Sequence, residues 1–145
     1  MMDTGKKFPV ALRGSWFGLN QQFKRRISGL PITPAQYTVI RNIFEHAGAG
    51  LNQLILSRLL SSNQNNITAI LNRLEAIELI ERKYDVRDRR SKLISLTAKG
   101  LSIYKQAQKV ARSLEGDIHE HLGDKEHATL LQNLETCKKN LDRLQ

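Results

Sequence analysis

Two groups of side chains in the middle of the chain have the chemistry needed to contact nucleic acid. The first is the amide run Gln64, Asn65 and Asn66, with Ala69 one turn later. Amides can both donate to and accept from adenine in the major groove, and alanine can sit against the thymine methyl group. Asn63 is a good helix N-cap, so the amides would lie in a first helical turn, where free backbone N–H groups favour phosphate. Taken alone, this stretch fits a solvated helix face equally well.

The second group is a basic cluster with two acidic residues, in the order Asp85, Arg87, Asp88, Arg89, Arg90 and Lys92. Asp88 and Arg90 are close enough in a turn for the carboxylate to orient the guanidinium. An oriented arginine suits the narrow minor groove of A·T-rich DNA, where the potential is most negative. Without the preceding amide run, a charged tip that keeps the chain soluble would be the simpler interpretation.

Apolar periodicity indicates the elements that would position these groups. A helix is predicted by apolar residues at helical spacing, namely Ile67, Ile70, Leu71, Leu74 and Ile77. Its other face carries Asn65, Ala69, Asn72 and Ala76, flanked by Thr68 and Arg73. Two period-2 segments follow, around Ile80–Tyr84 and around 94–96, and predict a β-hairpin whose turn runs from Asp85 to Lys92. Helix, strand, basic turn and strand in this order are typical of a winged helix.

Two further helices are predicted upstream. Thr33, Pro34 and Gln36 combine an N-cap, a proline at the first helical position and a capping-box glutamine. The helix they begin would bury Tyr37, Ile40, Phe44 and Ala47, and would end at residues 48–50. Asn52 would cap the next helix, to Leu60, and Ser61 and Ser62 would form the turn before the amide run.

Four short motifs resemble the signature of the MarR family of winged-helix regulators. They are Leu74-Glu75, Leu79-Ile80-Glu81-Arg82, Asp88-Arg89-Arg90-Ser91 and Leu96-Thr97-Ala98-Lys99-Gly100, and Leu51, Leu56 and Leu60 also match the helix before the recognition helix. The resemblance implies a dimeric transcriptional regulator, in most members a repressor released by a small ligand. It also implies that the helix from Gln64 enters the major groove and that Arg90 enters the minor groove.

This chain departs from the family pattern at two positions. Residue 69, often arginine in the family, is alanine here, which argues against guanine reading from that site. The glycine common between the recognition helix and the first wing strand is replaced by Glu78, so we expect that helix to end in another way. The predicted DNA contacts are Gln64, Asn65, Asn66, Thr68, Ala69 and Arg73 on the recognition helix, and Asp88, Arg89, Arg90 and Lys92 on the wing.

Composition favours a polyanionic partner. The 145 residues include 23 Lys and Arg against 14 Asp and Glu, a net charge of +9 and a pI near 10. Such an excess favours nucleic acid or an acidic membrane surface. A membrane partner is not expected, because no apolar run approaches the ~20 residues of a spanning helix. The segment from Lys6 to Leu19 superficially resembles a signal peptide, but Arg13 interrupts it. One cysteine excludes an intrachain disulfide, so we expect a cytoplasmic protein.

Long amphipathic helices are predicted at both ends. The first, from Phe8 to Leu30, has the apolar stripe Leu12, Trp16, Leu19, Phe23, Ile27 and Leu30. Trp16 and Phe23, with Tyr37 and Phe44, could line a pocket for an aromatic ligand. An aromatic stripe at helical spacing is more often core.

At the other end, Thr97 would cap a helix to about Leu122, Gly123 would end it, and Asp124 would cap the last helix. That last helix carries the heptad-like seam Leu130, Leu134, Cys137, Leu141 and Leu144, which calls for a partner helix. We therefore predict a homodimer and a DNA target with inverted half-sites about one helical turn apart. The predicted fold is mainly α with a small β-hairpin wing (α+β). Residues 1–30 and 98–145 would dimerise and residues 31–97 would bind DNA, as one functional domain.

No cofactor or metal is predicted. Cys137 lies on the apolar seam, where an unreactive thiol is expected rather than a redox sensor. His119 and His121 are two residues apart on a helix and point in different directions, so zinc binding with His127 and Glu120 is not expected. The chain has no motif for nucleophilic, metal or phosphate-loop catalysis, so an enzyme is not expected either. The alternative to a sequence-specific regulator is a ligand-independent or architectural basic DNA-binding protein.

Overall fold

The computed structural model describes the backbone of residues 4–144 and the side chains from residue 7 onward. In this part of the chain there are six helices and one two-stranded antiparallel sheet. They are α1 (Thr4–Arg26), α2 (Pro34–Glu45), α3 (Gln53–Leu59), α4 (Gln64–Ala76), β1 (Ile80–Tyr84), β2 (Lys92–Leu96), α5 (Ala98–Leu122) and α6 (Asp124–Arg143). The predicted mainly-α fold with a β-hairpin wing is confirmed. The chain divides into two compact units, with the boundary between Val110 and Ala111.

Side-chain caps begin each of the three helices that lead into the wing. Thr33 accepts from the Gln36 backbone N–H at 3.2 Å, and the Gln36 side chain accepts from Thr33 N at 3.1 Å, which completes a capping box. Asn52 accepts from Ile55 N at 2.9 Å and Asn63 from Asn66 N at 2.8 Å. The three predicted caps are therefore confirmed, and they define where α2, α3 and α4 begin.

The core of the winged helix lies between α2, α3, α4 and the hairpin. Its fully buried side chains include Ile40, Leu56, Ile67, Leu71, Leu74, Leu79 and Ile80. Each such aliphatic side chain contributes about 1.5–3 kcal/mol when it is removed from water. The strands pair in a register that puts Ile80 opposite Leu96 and Tyr84 opposite Lys92. Ile94 N donates to Leu51 O at 2.9 Å, which attaches β2 to the segment before α3.

The recognition helix α4 ends in a left-handed turn at Glu78, whose φ is 62°. Leu79 N donates to Leu74 O at 2.9 Å and Glu78 N to Glu75 O at 3.0 Å, the hydrogen-bond pattern of a Schellman motif. Because Glu78 replaces the glycine common in the family, we expected this helix to end differently from a helix that ends at glycine. That expectation was wrong. The glutamate adopts the backbone conformation that normally favours glycine, because the two hydrogen bonds and the burial of Leu79 hold it there.

The first turn of α5 packs directly on the end of α4. The Thr97 hydroxyl accepts from Gly100 N at 2.9 Å, so Thr97 caps α5 as predicted. The same hydroxyl donates at 2.7 Å to the carbonyl oxygen of Glu78, just after the end of α4. A Cβ atom on Gly100 would lie 1.9 Å from Leu79 O. Only glycine permits this approach of helix to backbone.

The structure corrects two predictions for the apolar faces of α1 and α2. α1 ends at Arg26, not at Leu30, and only Phe23 and the following Ile27 are buried. Trp16 is 65% exposed, so its assignment to the core is wrong within one protomer. In α2 the buried side chains are Tyr37, Val39, Ile40 and Ile43, whereas Phe44 is 40% exposed and Ala47, beyond the end of the helix, is exposed. The predicted burial of Phe44 and Ala47 is therefore wrong.

The last helix, α6, has no buried residue. Its predicted seam leaves Leu130, Leu134, Leu141 and Leu144 exposed. Asp124 does not cap this helix, because Gly123 occupies the N-cap position with φ 85° and Asp124 accepts instead from His119 Nε2 at 2.7 Å. Among the described residues no helix is long and apolar enough to span a lipid bilayer.

Replacing Glu78 with glycine should stabilise the protein. The left-handed turn costs a non-glycine residue about 1–2 kcal/mol, and the extra freedom of glycine in the unfolded chain returns part of it. We expect a gain of about 1 kcal/mol and a melting temperature higher by about 3 °C. The matched control is Glu115→Gly, in the interior of α5, which should lower stability by about the same amount. Equal losses in the two variants would show that Glu78 is not strained.

Candidate nucleic-acid interface

The outer face of α4 presents most of the side chains predicted to contact bases. Gln64, Asn65, Asn66, Ala69 and Arg73 are all exposed. The Asn63 cap holds the first turn of this helix, so the amides stand at its positive end. The predicted set therefore shares one accessible surface, apart from Thr68.

Thr68 is half-buried and its hydroxyl is used within the protein. It donates to Gln64 O at 2.7 Å and accepts from the Gln53 side-chain amide. Gln53 Nε2 also lies 3.3 Å from Gln64 O. This arrangement joins the start of α3 to the backbone of the first turn of α4, which carries the exposed amides. Sequence periodicity gave no signal for Gln53.

The wing tip takes its shape from two aspartates. Asp85 Oδ1 accepts from Arg87 N at 2.9 Å, and Asp88 Oδ1 accepts from Arg90 N at 3.0 Å. The predicted contact between Asp88 and the Arg90 side chain is present at 3.7 Å. The Arg90 side chain is 97% exposed, so this ion pair contributes little stability. Asp88 acts chiefly on the backbone of the tip and leaves the guanidinium free to move.

The basic side chains of the wing lie at two places, the tip of the hairpin and the start of β2. Arg89 and Arg90 are exposed at the tip. Lys92 belongs to β2, and its ammonium group lies 4.9 Å from the centre of the Tyr84 ring. The predicted turn therefore ends one residue earlier, at Ser91, and Lys92 stands beside the strands.

A groove of about 600 Å³ separates the wing from the N-terminal ends of α3 and α4. Asn52, Gln64, Arg82, Arg90 and Lys92 are among its lining residues. Three of these five are cationic and the other two are amides. The groove therefore combines positive charge with groups that can donate and accept hydrogen bonds, which suits a nucleic-acid strand.

Arg82 on β1 makes the strongest polar contacts near this groove. Its Nε and Nη2 atoms lie 3.0 Å from the two carboxylate oxygens of Glu75, and Nη2 lies 2.8 Å from Asn72 Oδ1. The hydrogen bond from Arg82 lowers the pKa of the Glu75 carboxyl, and the same bond raises the pKa of Arg82. This bidentate pair joins α4 to the wing. In the sequence Arg82 belongs to an alternating strand and to one of the four family-like motifs, and neither predicted its contact with Asn72 and Glu75, which share one helix face at the spacing i, i+3.

Three of the four aromatic residues predicted to line a ligand pocket form a cluster with Tyr104 of α5. Ring centres of Phe23 and Tyr37 are 4.9 Å apart, those of Tyr37 and Tyr104 5.9 Å, and those of Phe44 and Tyr104 4.6 Å. Within the described part of the chain Trp16 has no such ring contact. The structure therefore groups Phe23, Tyr37 and Phe44 and leaves Trp16 apart.

An apolar cavity lies next to this cluster. Its volume is about 340 Å³, and Phe44, Ile94, Leu96 and Leu101 are among its lining residues. Phe44 is 40% exposed and touches both the cavity and Tyr104. The cavity is of the size and polarity that a small aromatic compound would fill.

One histidine of α5 stacks on one histidine of α6. The rings of His119 and His127 stack with centres 4.2 Å apart, and Asp124 accepts from His119. Cys137 is half-buried on α6. Over the residues that the structure describes, no three metal-ligating side chains converge.

Comparisons with known proteins agree with this geometry. A family model described as "MarR family" matches residues 32–92, which span α2 to the start of β2. No curated protein sequence matches the chain significantly. Solved structures do match, and each of the three described next covers 90% or more of this chain.

The transcriptional repressor CouR, bound to a 23-mer DNA duplex, is 27% identical with a TM-score of 0.87, over 95% of this chain and 96% of that chain. Wild-type MarR from E. coli in its apo form is 25% identical with a TM-score of 0.75, over 90% and 96%. MepR from S. aureus in a DNA complex is 22% identical with a TM-score of 0.86, over 92% and 97%, and supports the fold alone. The resemblance noted in the sequence is confirmed: residues 32–92 match the MarR family model, and the fold over nearly the whole chain is similar to that of these MarR-family structures.

Proposed function

We propose that this protein is a dimeric, sequence-specific regulator of transcription that represses from an inverted-repeat operator in double-stranded DNA. The observation that carries the proposal is the groove between the exposed amides of α4 and the exposed arginines of the wing. A helix of this size fits the major groove, and a basic wing then reaches the flanking DNA. CouR, which is similar in fold and 27% identical, was solved with a DNA duplex, and this supports the same partner here.

The interface divides into base-reading and backbone-binding parts. Gln64, Asn65 and Asn66 offer amides to base edges, and Ala69 offers a methyl group to thymine. Arg73, Arg89 and Lys92 supply charge to phosphates, while Arg90 enters the minor groove. Because the face of α4 is rich in amides and poor in charge, it suits base reading better than general phosphate binding.

Exposed apolar side chains on α1 and on α6 support a dimer. Val10, Trp16 and Phe17 are exposed on α1, and Leu131 and Leu141 on α6. A monomer rarely leaves so many large apolar groups in water along two helices. In a two-fold dimer these faces would be covered by the second copy, and two recognition helices would meet inverted half-sites about one helical turn apart.

A small, aromatic ligand is proposed to relieve repression. The aromatic cluster around Tyr104 and the adjacent cavity of about 340 Å³ support a site for it at the junction of α2, β2 and α5. Binding there would change the distance between the two recognition helices of a dimer, so that a fixed operator no longer fits both. The coupling expected is about 1–3 kcal/mol, or roughly 5- to 150-fold in affinity for DNA.

Selection of binding sites from random duplex DNA tests the function as a whole. At about 0.15 M salt, where non-specific binding is weak, the purified protein should enrich an inverted repeat. Its mass in solution should be twice the 16.5 kDa of the chain. Measurable binding without any enriched sequence would instead favour an architectural DNA-binding protein, which the net charge of +9 would also allow.

Arg90→Ala tests the wing. Loss of a minor-groove arginine should weaken binding to the selected operator by about 1–3 kcal/mol, with relaxed preference at A·T pairs. It should also make the dependence of log affinity on log salt shallower by about 0.9. Arg112→Ala, which removes an exposed charge from α5, is the matched control and should change neither. Equal affinity and slope in wild type and Arg90→Ala would exclude Arg90 from the interface.

The ligand mechanism is tested by the distance between the two recognition helices. With spin labels on α4 of each protomer, a compound that releases DNA should shift the label-to-label distance away from its DNA-bound value. The control is an aromatic compound that does not release DNA, which should leave the distance unchanged. If a releasing compound also leaves the distance unchanged, the proposed mechanism is wrong.

A further inference from the structure

Asn72 lies on the exposed face of the recognition helix, seven residues after Asn65. Seven residues are almost two full turns, so the two asparagines lie in line along the helix. Their side-chain amides differ in one respect. Asn72 Oδ1 accepts from Arg82 Nη2 at 2.8 Å, whereas Asn65 has no hydrogen-bond partner among the described residues.

Arg82 determines which end of the Asn72 amide is free. A guanidinium only donates, so the amide must turn its oxygen toward Arg82, and the NH₂ group is left to make other contacts. Arg82 cannot easily move away, because its side chain is only 17% exposed and both Glu75 oxygens hold it at 3.0 Å. The orientation of Asn72 is therefore set by a residue of β1.

This orientation changes what Asn72 can recognise in the major groove. Asparagine pairs with adenine by presenting its oxygen and its NH₂ group together, the oxygen to adenine N6–H and the NH₂ to N7. Arg82 occupies one of the two lone pairs of the Asn72 oxygen and places a positive charge beside it, so Asn72 presents that edge poorly and its NH₂ group is the better contact. Guanine offers two adjacent acceptors, N7 and O6, and thymine offers one acceptor, O4.

We propose that Asn72 is a specificity-determining residue that reads guanine, and less well thymine, as a hydrogen-bond donor, and that Arg82 is the positioning residue that makes it donate. This inference rests on the proposed function. Asn65, with a free amide on the same face, is left to read adenine. The two asparagines then recognise different bases although their side chains are identical.

Competition binding against every single base-pair change in the selected operator tests the inference. Wild type should prefer guanine at one base pair of each half-site by roughly 5- to 150-fold over adenine. Asn72→Ala should remove that preference and leave the others. The variant should fold, because the position is exposed and alanine favours helix. Asn65→Ala is the matched control and should relax preference at a different base pair, where adenine is favoured.

Arg82→Lys separates reading from charge. Lysine keeps the positive charge, so the salt dependence of binding should stay the same, but it cannot hold both Glu75 and Asn72 as a planar fork. With the Asn72 amide freed, the base preference at the operator position that Asn72 contacts should shift from guanine toward adenine. A purely structural role for Arg82 would instead weaken binding to all operators equally.

The outcomes are distinguishable. If wild-type protein enriches no sequence, the proposed function fails and this inference with it. If wild type reads an operator but Asn72→Ala keeps every base preference, or if the affected base pair favours adenine, the proposed function stands and the role of Asn72 is overturned. A circular dichroism melt of each variant confirms that the comparison is made on folded protein.

Discussion

The last carbonyl groups of α4 need hydrogen-bond donors, and the first turn of α5 supplies them. Thr97 donates to Glu78 O, and the Lys99 ammonium donates to Ile77 O at 3.1 Å. Each of these hydrogen bonds contributes about 0.5–1.5 kcal/mol, and both connect the end of α4 to the start of α5. Because Gly100 lets the two backbones come this close, the recognition helix, the hairpin and α5 hold one another in a single arrangement.

Local chemistry explains why part of this fold could be predicted. The caps Thr33, Asn52 and Asn63 each accept from a backbone N–H three residues later, so each cap can be recognised within a short stretch of sequence. The hairpin was predictable because alternation and a polar turn also lie within one short stretch. The exposed amides and the wing arginines followed from the same elements, since a residue opposite an apolar stripe must face outward.

Features that depend on distant elements could not be predicted. Glu78 adopts a left-handed conformation because two hydrogen bonds and the burial of Leu79 hold it there, and Leu79 is buried by elements distant in the sequence. The Arg82 contacts join a strand residue to helix residues seven and ten positions earlier, and no periodicity connects them. Trp16 was mispredicted for a different reason. Helical spacing correctly placed Trp16 on the same face of α1 as Phe23, but the described residues of one protomer leave that part of the face uncovered.

The contact between Arg82 and Asn72 also bears on how such a protein can diverge. A surface formed by α4 alone would change its chemistry only by substitutions in α4, where apolar neighbours restrict what is tolerated. Here a residue of β1 controls which hydrogen-bonding end of Asn72 is exposed. A duplicated gene could therefore alter the surface of the helix by a substitution in the neighbouring strand, while every side chain of the helix itself stays the same.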